Sequence, residues 1–444
     1  MEFDLVVLGC GSAGTEAVKE ALRYTKRILC VDRSPEAVGG TCLNRGCVPA
    51  KFLRKGALLS EEVKRASFYG LSASLGETSF AGAVDSVRRS VITPIREGLL
   101  KFFKAKGVKL LFSPQVRVLG PNLLEVGGKR VSFRFLLVAT GSSPSALPGL
   151  VSDGRFVLDT DSLWDLTELP RRLLIVGGGV SGVEFAYSLK LYGAEEVYLV
   201  ELEKGLLPTA GFPPDAVRRL ERALKGLGVK VFTGRSVAEV DAARRRVLLS
   251  DGTVLEVDAV LLTVGRRPNT SDLGLEEVGV ELDPKGFVKT KKGYRTSVET
   301  IFAAGDVLPT PALAHAAEGE ARLAVRNAFE NRFEELDYDR LPSVVYSYYE
   351  LGRFGKTETD LRREKVPFEV KLLNFRSVAR ALAEGEEGLV KVYASPEGRI
   401  LGAVVLSRKS TDSLLHLLLE AENLGRLKGL VFAHPTVEEV LKNL

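Results

Sequence analysis

One pattern occurs twice in this chain: an apolar strand, a glycine-rich turn, a helix, and a second strand that ends on an acid. In the first copy, residues 3–8 lead into the GCGSAG turn of residues 9–14, and the strand at residues 27–31 ends at Asp32. Such glycines let the backbone approach a pyrophosphate at the helix N-terminus, and the acid is placed to bind a ribose hydroxyl. The pattern predicts a dinucleotide site in an α/β fold. The alternative is a glycine-rich turn in an unrelated α/β domain.

The second copy runs from Arg172–Val176 through the GGGVSG turn of residues 177–182 and ends at Glu201. Two copies imply two bound dinucleotides. A carboxylate at the end of the second strand accepts a hydrogen bond from a free 2′-hydroxyl and repels a 2′-phosphate. No arginine lies in residues 201–205, although Lys204 is a cation, so the second nucleotide is predicted to be NAD rather than NADP.

Length and charge narrow the class of protein. A chain of 444 residues is too long for one ordinary domain and suggests about three. The net charge is only +5 and the basic residues are scattered, which argues against a nucleic-acid partner. No apolar run approaches the length of about 18 residues that a membrane helix needs, and no signal peptide is evident. We therefore expect a cytoplasmic protein that does not enter membranes.

All four cysteines lie within the first 47 residues. Cys10 and Cys30 fall in strand and turn patterns, and we expect them only to fill the core. Cys42 and Cys47 share a polar, glycine-bounded segment, and a close pair of this kind in a large cytosolic protein is typical of catalysis or metal binding. Two thiols with no further cysteine or nearby histidine make a poor zinc site, so no metal is expected.

Later segments add a different kind of fold. Residues 263–270 follow a strand, and residues 300–306 form a strand and a Gly-Asp turn before a helix that starts near residue 312. Beyond Pro342, residues 366–375, 388–394 and 399–406 are predicted to be antiparallel strands, followed by a helix at residues 411–422. These elements indicate a separate α+β domain.

The segment GGTCLNRGCVPAK of residues 39–51 resembles the redox-active disulfide of the pyridine nucleotide–disulfide oxidoreductases, the family that contains dihydrolipoamide dehydrogenase and glutathione reductase. The motifs at residues 139–141, 265–269, 304–306 and 434–436 also resemble that family, so the resemblance covers essentially the whole chain. It implies an α/β protein with two Rossmann-like dinucleotide-binding domains, for FAD and NAD, and a C-terminal α+β dimerisation domain. The implied limits are residues 1–145 for the FAD domain, 146–265 for the NAD domain, 266–340 for a central segment completing the FAD site, and 341–444 for dimerisation.

The resemblance assigns roles residue by residue. It makes Cys42 the thiol that meets the substrate and Cys47 the thiolate that faces the flavin. It pairs Lys51 with Glu184 beside the flavin, and His434, the base, with Glu439. It places the FAD ribose on Asp32 and the ribityl chain on Asp306. The other implied cofactor-binding residues lie in the glycine turns, the redox segment and the later motifs: Gly9, Gly11, Ser12, Ala13, Gly14, Gly40, Thr41, Thr140, Gly141, Gly177, Gly179, Gly182, Glu201, Gly265, Gly305, Leu313, Ala314 and His315.

A disulfide between Cys42 and Cys47 spans more than one helical turn, so it requires a distorted helix or turn. Gly46 and Pro49 are expected to supply the distortion, because Pro49 cannot donate a hydrogen bond back to Arg45. A strained, accessible disulfide is readily reduced and suits catalysis, and the alternative is a structural disulfide. The charge of Lys51, four residues after Cys47, is placed to stabilise a thiolate or a reduced flavin.

The three histidines have different expected roles. A dithiol must lose a proton before it attacks a disulfide, and an imidazole held by a carboxylate is a suitable base near neutral pH. His434, with Glu439 behind it, fits that role. His416 is expected to be a packed helix residue, and His315 is expected to contribute mainly backbone contacts.

Several features favour a dihydrolipoamide dehydrogenase, which would oxidise a protein-bound dihydrolipoyl group and reduce NAD. They are Glu201, the absence of cysteine after Cys47, and the sequences at residues 200–208 and 313–315. The alternatives are a glutathione reductase-like NAD(P)H-dependent disulfide reductase and a catalytically silent regulator that binds FAD and NAD.

Two departures from the family pattern leave the partner open between a lipoyl-bearing protein and a small dithiol or disulfide. Tyr348-Tyr349 precede Glu350 where a proline is usual, and Ser407-Arg408-Lys409 replaces a glycine-rich loop. The segment between residues 422 and 433 is also short. The resemblance further implies a homodimer in which the arm carrying His434 reaches the disulfide of the partner subunit.

Overall fold

The computed structural model describes residues 2–444. The chain divides into two compact units. The first unit consists of Met1–Phe52, Ala81–Ser145 and Gly265–Leu336, and the second consists of Leu53–Phe80, Ala146–Val264 and Asp337–Leu444. Each unit therefore assembles from three segments that are far apart in the sequence.

The strands, numbered along the chain, are short and belong to five sheets. They are β1 Glu2–Leu8, β2 Ile28–Asp32, β3 Lys109–Phe112, β4 Val116–Gly120, β5 Leu123–Val126, β6 Lys129–Val138, β7 Ser142–Pro144, β8 Val157–Asp159, β9 Arg172–Val176, β10 Glu196–Glu201, β11 Val229–Thr233, β12 Val237–Asp241, β13 Arg246–Leu249, β14 Val254–Glu256, β15 Ala259–Leu262, β16 Arg266–Pro268, β17 Ile301–Ala303, β18 Ser343–Tyr346, β19 Glu350–Gly355, β20 Glu369–Asn374, β21 Leu389–Ala394 and β22 Ile400–Ser407.

The α-helices cover the sheets and connect them. They are α1 Ser12–Ala21, α2 Gly40–Asn44, α3 Cys47–Lys64, α4 Phe80–Val87, α5 Thr93–Ala105, α6 Val180–Leu191, α7 Pro214–Gly226, α8 Ala314–Glu330, α9 Glu358–Arg363, α10 Ala379–Glu384, α11 Thr411–Ala421 and α12 Leu424–Lys428. Within residues 2–444, no helix combines the length and the apolar character needed to span a membrane.

The first unit is built on a sheet in which β3, β2, β1, β6 and β17 are parallel neighbours, extended by the antiparallel strands β5 and β4. Most of β1 and β2 is buried, which explains why their sequences are continuous apolar runs rather than alternating ones. Helix α1 packs against α8 beside this sheet, and ion pairs from Arg322 to Glu16 and from Arg326 to Glu20 join the two helices. The first predicted nucleotide fold is confirmed.

Cys10 and Cys30 lie in this unit and are joined by a disulfide, with their Cα atoms 6.4 Å apart. The expectation that both residues only fill the core was wrong. Cys30 lies on β2, beside β1, and Cys10 lies in the turn that leaves β1, so the parallel pairing of the two strands brings the sulfurs together. Both side chains are fully buried.

In the second unit, β11, β10, β9, β15 and β8 form a parallel sheet, and α6 connects β9 to β10. This confirms the second nucleotide fold. The antiparallel strands β12, β13 and β14 form a separate small sheet.

The C-terminal part of the second unit is an antiparallel sheet in the order β18-β19-β22-β21-β20, with α11 packed on β22 and β19. The three predicted strands are confirmed as β20, β21 and β22. The sequence did not predict β18 and β19. Strand β19 is buried at four of its six positions and contains two glycines, so it lacks the alternation of apolar and polar residues that marks a half-buried strand.

The glycine turns give a stability prediction. A Cβ atom on Gly14 would lie 1.8 Å from the carbonyl oxygen of Gly9, whereas a Cβ on Gly98, in the exposed face of α5, would meet nothing within 4 Å. We expect Gly14→Ala to lower the free energy of unfolding by about 3 kcal/mol or more, because backbone must move. We expect Gly98→Ala to raise it by about 1 kcal/mol through helix propensity. Thermal unfolding of both variants measures this, and a Gly14→Ala variant as stable as the parent would contradict it.

Candidate active site and cofactor sites

The first glycine turn leads directly into the N-terminus of α1. Gly11 precedes the helix in extended conformation, and the N–H of Cys10 donates a 2.7 Å hydrogen bond to Oδ2 of Asp32. A Cβ atom on Gly40 would lie 2.7 Å from the Cα of Gly11, so the turn and the redox segment meet through glycine backbone. The structure thus brings together the predicted residues Gly9, Gly11, Ser12, Ala13, Gly14, Asp32 and Gly40. Their arrangement fits the pyrophosphate and ribose of a dinucleotide.

The second glycine turn repeats this geometry in the other unit. Gly179 precedes α6 in extended conformation, and a Cβ atom there would meet nothing within 4 Å. Oε2 of the buried Glu201 accepts a 2.6 Å hydrogen bond from the N–H of Gly178, as Asp32 does from Cys10. The predicted residues Gly177, Gly179, Gly182 and Glu201 therefore form one site. A carboxylate held in this way fits NAD, since it would repel a 2′-phosphate.

Asp306 is held by two motifs that are distant in sequence. The hydroxyl of Ser142 donates a 2.6 Å hydrogen bond to Oδ2 of Asp306, and Nε of Arg266 donates a 2.7 Å bond to the same hydroxyl. Strands β7 and β16 pair here, which places the predicted residues Thr140, Gly141 and Gly265 near Asp306. Thr140 also donates a 2.6 Å bond to the carbonyl of Asn269. The network fixes the direction in which the Asp306 carboxylate points.

The redox segment consists of two helices, α2 and α3, joined by a break in helical geometry. The cause of this break differs in part from the one that the sequence predicted. Cys42 lies within α2, Cys47 is the first residue of α3, and the chain leaves helical geometry at Arg45. Gly46 is required at the break, because a Cβ atom there would lie 2.9 Å from the carbonyl oxygen of Thr41. Pro49 lies in the first turn of α3, where a helix needs no N–H donor. The expectation that Pro49 distorts the helix was wrong.

Cys42 and Cys47 are present as two thiols, with the side chain of Cys42 hydrogen-bonded to Cys47. That hydrogen bond raises the pKa of the Cys42 thiol, and burial and the charge of Cys47 raise it further. In a reduced pair, these effects favour the protonated form of Cys42. Cys47 also lies at the N-terminus of a long helix, where the dipole stabilises an anion.

His434 and Glu439 lie together, as the sequence predicted. Nδ1 of His434 is 3.1 Å from both carboxylate oxygens of Glu439, and the imidazole is 74% exposed. The bonds from Lys442, the N–H of Thr436 and His434 lower the pKa of Glu439 to about 2. The short helix that follows, Val437–Asn443, buries Val437, Val440 and Leu441 in the C-terminal core. A fixed arm thus presents an exposed imidazole with its carboxylate behind it.

The remaining predicted side chains fall in both units. Lys51 lies in α3 within the first unit, and Glu184 lies in α6 within the second, where it accepts a 2.8 Å hydrogen bond from the N–H of Tyr346. Their pairing stays a prediction. Leu313, Ala314 and His315 form the start of α8, and Thr41 lies in α2 beside Cys42. His416 lies in α11, but it is exposed, so the expectation that it packs in the helix was wrong.

Comparison with known proteins decides the family. The family model described as pyridine nucleotide-disulphide oxidoreductase matches residues 3–321, and the model for the dimerisation domain of that family matches residues 341–444. The chain belongs to the pyridine nucleotide-disulphide oxidoreductase family.

Relatives cover nearly the whole chain. The dihydrolipoyl dehydrogenase of Chlamydia trachomatis serovar D is 31% identical over 99% of this chain and 95% of its own length. The leghemoglobin reductase of Vigna unguiculata is 32% identical over 99% of this chain and 86% of its own length. Among solved structures, LpdA from Mycobacterium tuberculosis has a TM-score of 0.90 and 25% identity, covering 99% of this chain and 98% of that one.

Membership of the pyridine nucleotide-disulphide oxidoreductase family confirms the resemblance, the fold class and the FAD and NAD cofactors predicted from the sequence. The chain is a flavoprotein disulfide oxidoreductase. A redox-active pair of cysteines is therefore expected in it.

Sequence reasoning missed four residues that contact or influence the predicted site residues. Ser142 and Arg266 orient Asp306, and the fully buried Glu320 accepts a 2.7 Å hydrogen bond from the N–H of Gly305. The charge of Glu318, whose own pKa is raised by burial, also raises the pKa of Cys42. Ser142 directly follows one motif that was noticed and Arg266 lies within another, so their polar side chains were a usable signal. The two glutamates resemble any charged residue of an amphipathic helix.

The Asp306 network predicts a cofactor effect. Arg266→Met removes two hydrogen bonds to Ser142, so the Asp306 carboxylate loses its fixed direction. We expect FAD to bind roughly tenfold more weakly or worse, since a charge-assisted hydrogen bond contributes about 1.5–3 kcal/mol. Titration of the apoprotein with FAD measures this. Arg267→Met, which changes the exposed neighbouring arginine, is the control and should bind FAD as the parent does. Equal affinities in all three proteins would contradict the role of Arg266.

The His434 arm predicts a catalytic effect. Glu439→Gln should lower the rate of dithiol oxidation at least about tenfold, because the amide cannot hold the imidazole as the carboxylate does. Since the pKa of Glu439 is about 2, its carboxylate is charged throughout the neutral range. The lowered pKa means that this ion is lost only as the pH falls toward that value. The parent pH–rate profile between about pH 5 and 9 should therefore carry no inflection from Glu439. Glu438→Gln is the matched control, and a slow Glu438→Gln variant would argue against a specific role for Glu439.

Proposed function

We propose that the chain is a dihydrolipoamide dehydrogenase, which oxidises a protein-bound dihydrolipoyl group and reduces NAD through Cys42, Cys47 and FAD. The observation that carries the proposal is the hydrogen-bonded pair of Cys42 and Cys47 across the break between α2 and α3. Full-length relatives that carry the name dihydrolipoyl dehydrogenase support the choice of substrate.

In the proposed reaction, His434 accepts a proton from one thiol of the dihydrolipoyl group. The resulting thiolate attacks Cys42 of the Cys42–Cys47 disulfide, and the bond between the two cysteines breaks, leaving its electron pair on Cys47. The second substrate thiol then attacks the substrate sulfur bound to Cys42, and the mixed disulfide breaks with its electron pair on the Cys42 sulfur. Of the two protons that the substrate releases, one goes to that sulfur and the other stays on His434. Lipoamide leaves as a cyclic disulfide, and the pair of cysteines has gained two electrons.

The properties of the two cysteines support this division of roles. Cys42 keeps its proton in the reduced pair because the hydrogen bond to Cys47 and burial raise its pKa. The charge then resides on Cys47, which is the residue expected to face the flavin. Bound FAD would take electrons from that sulfur and pass them to NAD. Lys51, one turn after Cys47 on the same helix, and Glu184 are proposed to act beside the flavin.

The site assignments taken from the family are part of the proposal. So are the domain limits at residues 145, 265 and 340, and a cytoplasmic location. The match of residues 341–444 to a dimerisation domain supports a homodimer. We propose that His434 and Glu439 of each subunit serve the cysteine pair of the other, which accounts for an imidazole that is 74% exposed within one chain.

A glutathione reductase-like disulfide reductase that uses NADPH is the second candidate function, because the segment of residues 39–51 also resembles the redox-active segment of that enzyme. Glu201 opposes it, because its carboxylate would meet the 2′-phosphate of NADPH. A silent regulator is opposed by the retention of the thiols, the base and its carboxylate together.

The substrate assignment predicts a clear preference. The parent should oxidise dihydrolipoamide with NAD, and Cys47→Ser should retain FAD yet lose this turnover by at least about a thousandfold, because the electron route through the disulfide is gone. The variant should also lack the long-wavelength absorbance of a thiolate against flavin. Faster turnover of glutathione disulfide with NADPH by the parent would reject the assignment.

The shared site predicts complementation between subunits. Homodimers of Cys47→Ser and of His434→Ala should both be nearly inactive, because every site lacks one component. In a mixed dimer, one site carries both defects and the other is intact, so activity should recover toward half of the parent value. Differently tagged subunits allow the mixed dimer to be isolated. If the base served its own chain, both sites would be defective and no activity would return.

A further inference from the structure

The two departures from the family pattern meet in one buried group of charges within the second unit. We call Arg54, Glu61, Glu350 and Arg408 the Arg54 cluster. Arg54 and Glu61 lie on α3, Glu350 begins β19 directly after Tyr348-Tyr349, and Arg408 follows β22 in the loop that replaces the glycine-rich one. Side-chain exposure is 8% for Arg54 and 7% for Glu350.

Arg54 binds three groups at once through its planar guanidinium. Nη1 donates a 2.7 Å hydrogen bond to Glu350, Nε donates a 3.0 Å bond to the carbonyl of Ser347, and Nη2 donates a 2.9 Å bond to the carbonyl of Arg408. Both departing segments therefore turn their backbone carbonyls toward one side chain of α3. A lysine could not match this geometry, because it lacks the fixed fork of donors.

Glu61 anchors the same helix two turns further on. Nη2 of Arg408 donates a 2.7 Å bond to Glu61, and the hydroxyl of Tyr187 on α6 donates to the same oxygen. The guanidinium of Arg408 also lies 3.8 Å from the ring centroid of Tyr348, a contact between cation and aromatic ring that the usual proline would not give. The cluster thus holds α3 to α6 by a hydrogen bond, and to the C-terminal sheet and the loop after β22 by ion pairs that are shielded from water.

Helix α3 is uninterrupted from Cys47 to Lys64. Cys47, Arg54 and Glu61 are spaced by seven residues, which puts them on one face of the helix, with Arg54 about 10 Å along the axis from Cys47. Burying four charges is a poor way to gain stability, because desolvation offsets much of the attraction. Such a cluster can instead specify one position for α3, whereas apolar packing alone would define that position less precisely.

We infer that the Arg54 cluster fixes α3 in place, and that Arg54 is a positioning residue for Cys47 at the start of that helix. This inference rests on the proposed redox function of Cys42 and Cys47. Arg54 touches neither the substrate nor the reacting sulfur. It acts through the helix, so its loss changes how Cys47 meets the flavin while leaving FAD bound.

The experiment compares Arg54→Leu, Glu350→Leu and the double variant. Each single variant leaves a buried charge without its partner, so its Tm should fall. The double variant removes both charges and should regain most of the Tm. If the cluster positions Cys47, the double variant should still show weakened long-wavelength absorbance per bound FAD, a shifted disulfide midpoint potential and faster amide hydrogen exchange in residues 47–54. Its kcat should be roughly ten- to a hundredfold lower, as expected for a small misplacement of reacting groups.

Two further variants keep the result interpretable. Lys55→Met removes an exposed charge from the adjacent position of α3 and should behave as the parent in every measurement. Arg54→Lys keeps the charge but loses the fork, so it tests positioning even if the leucine variants do not fold. It should retain FAD and lose part of the absorbance and of kcat.

A double variant with restored Tm and parental absorbance, exchange and kcat would overturn the inference and leave the cluster a purely structural feature. Parental values in Arg54→Lys would overturn it as well. Failure of the proposed function is a distinct outcome, because the parent itself would then show neither dithiol turnover nor the thiolate absorbance.

Discussion

Close contact between backbone segments at glycine is the constraint on which both nucleotide folds depend. A Cβ atom on Gly14 would lie 1.8 Å from the carbonyl oxygen of Gly9, and one on Gly182 would lie 1.9 Å from that of Gly177. Only glycine lets each turn close onto its helix. The acid at the end of the next strand then binds the N–H of the second turn residue, Cys10 in one fold and Gly178 in the other. This arrangement fits the binding of a dinucleotide pyrophosphate at the N-termini of α1 and α6.

Helix α3 carries one cysteine of the redox pair and also residues that bind other elements of the fold. Its first residue is Cys47, and the break at Arg45 and Gly46 sets Cys47 beside Cys42. Further along, Arg54 and Glu61 bind partners from α6 and from the C-terminal sheet. Two residues that departed from the family pattern, Tyr348 and Arg408, are thereby explained, because they stack on each other beside Glu61. A buried polar group of this kind specifies one arrangement more than it adds stability.

The outcome for particular residues shows where reading the sequence succeeds. The contacts of the two glycine turns with Asp32 and Glu201, and of His434 with Glu439, agree with the prediction, because each belongs to a motif within which spacing alone implies geometry. Pro49 was misjudged, since the helix begins only at Cys47 and a proline in a first turn distorts nothing. Cys10 and Cys30 were misjudged because their bond depends on the pairing of β1 with β2 rather than on local sequence. Strand β19 was missed because a strand buried on both faces lacks alternation.

The sequence by itself determined the two nucleotide folds, the redox segment and the histidine arm, since their information lies in residue types at short, fixed separations. Tertiary structure decided which distant groups meet them. Ser142 binds Asp306 across 164 positions, and Arg54 binds Glu350 across 296. A serine or an arginine can bond with many partners, so its residue type does not say which one it will find. Only the packing of strands and helices brings one acceptor within reach of each donor.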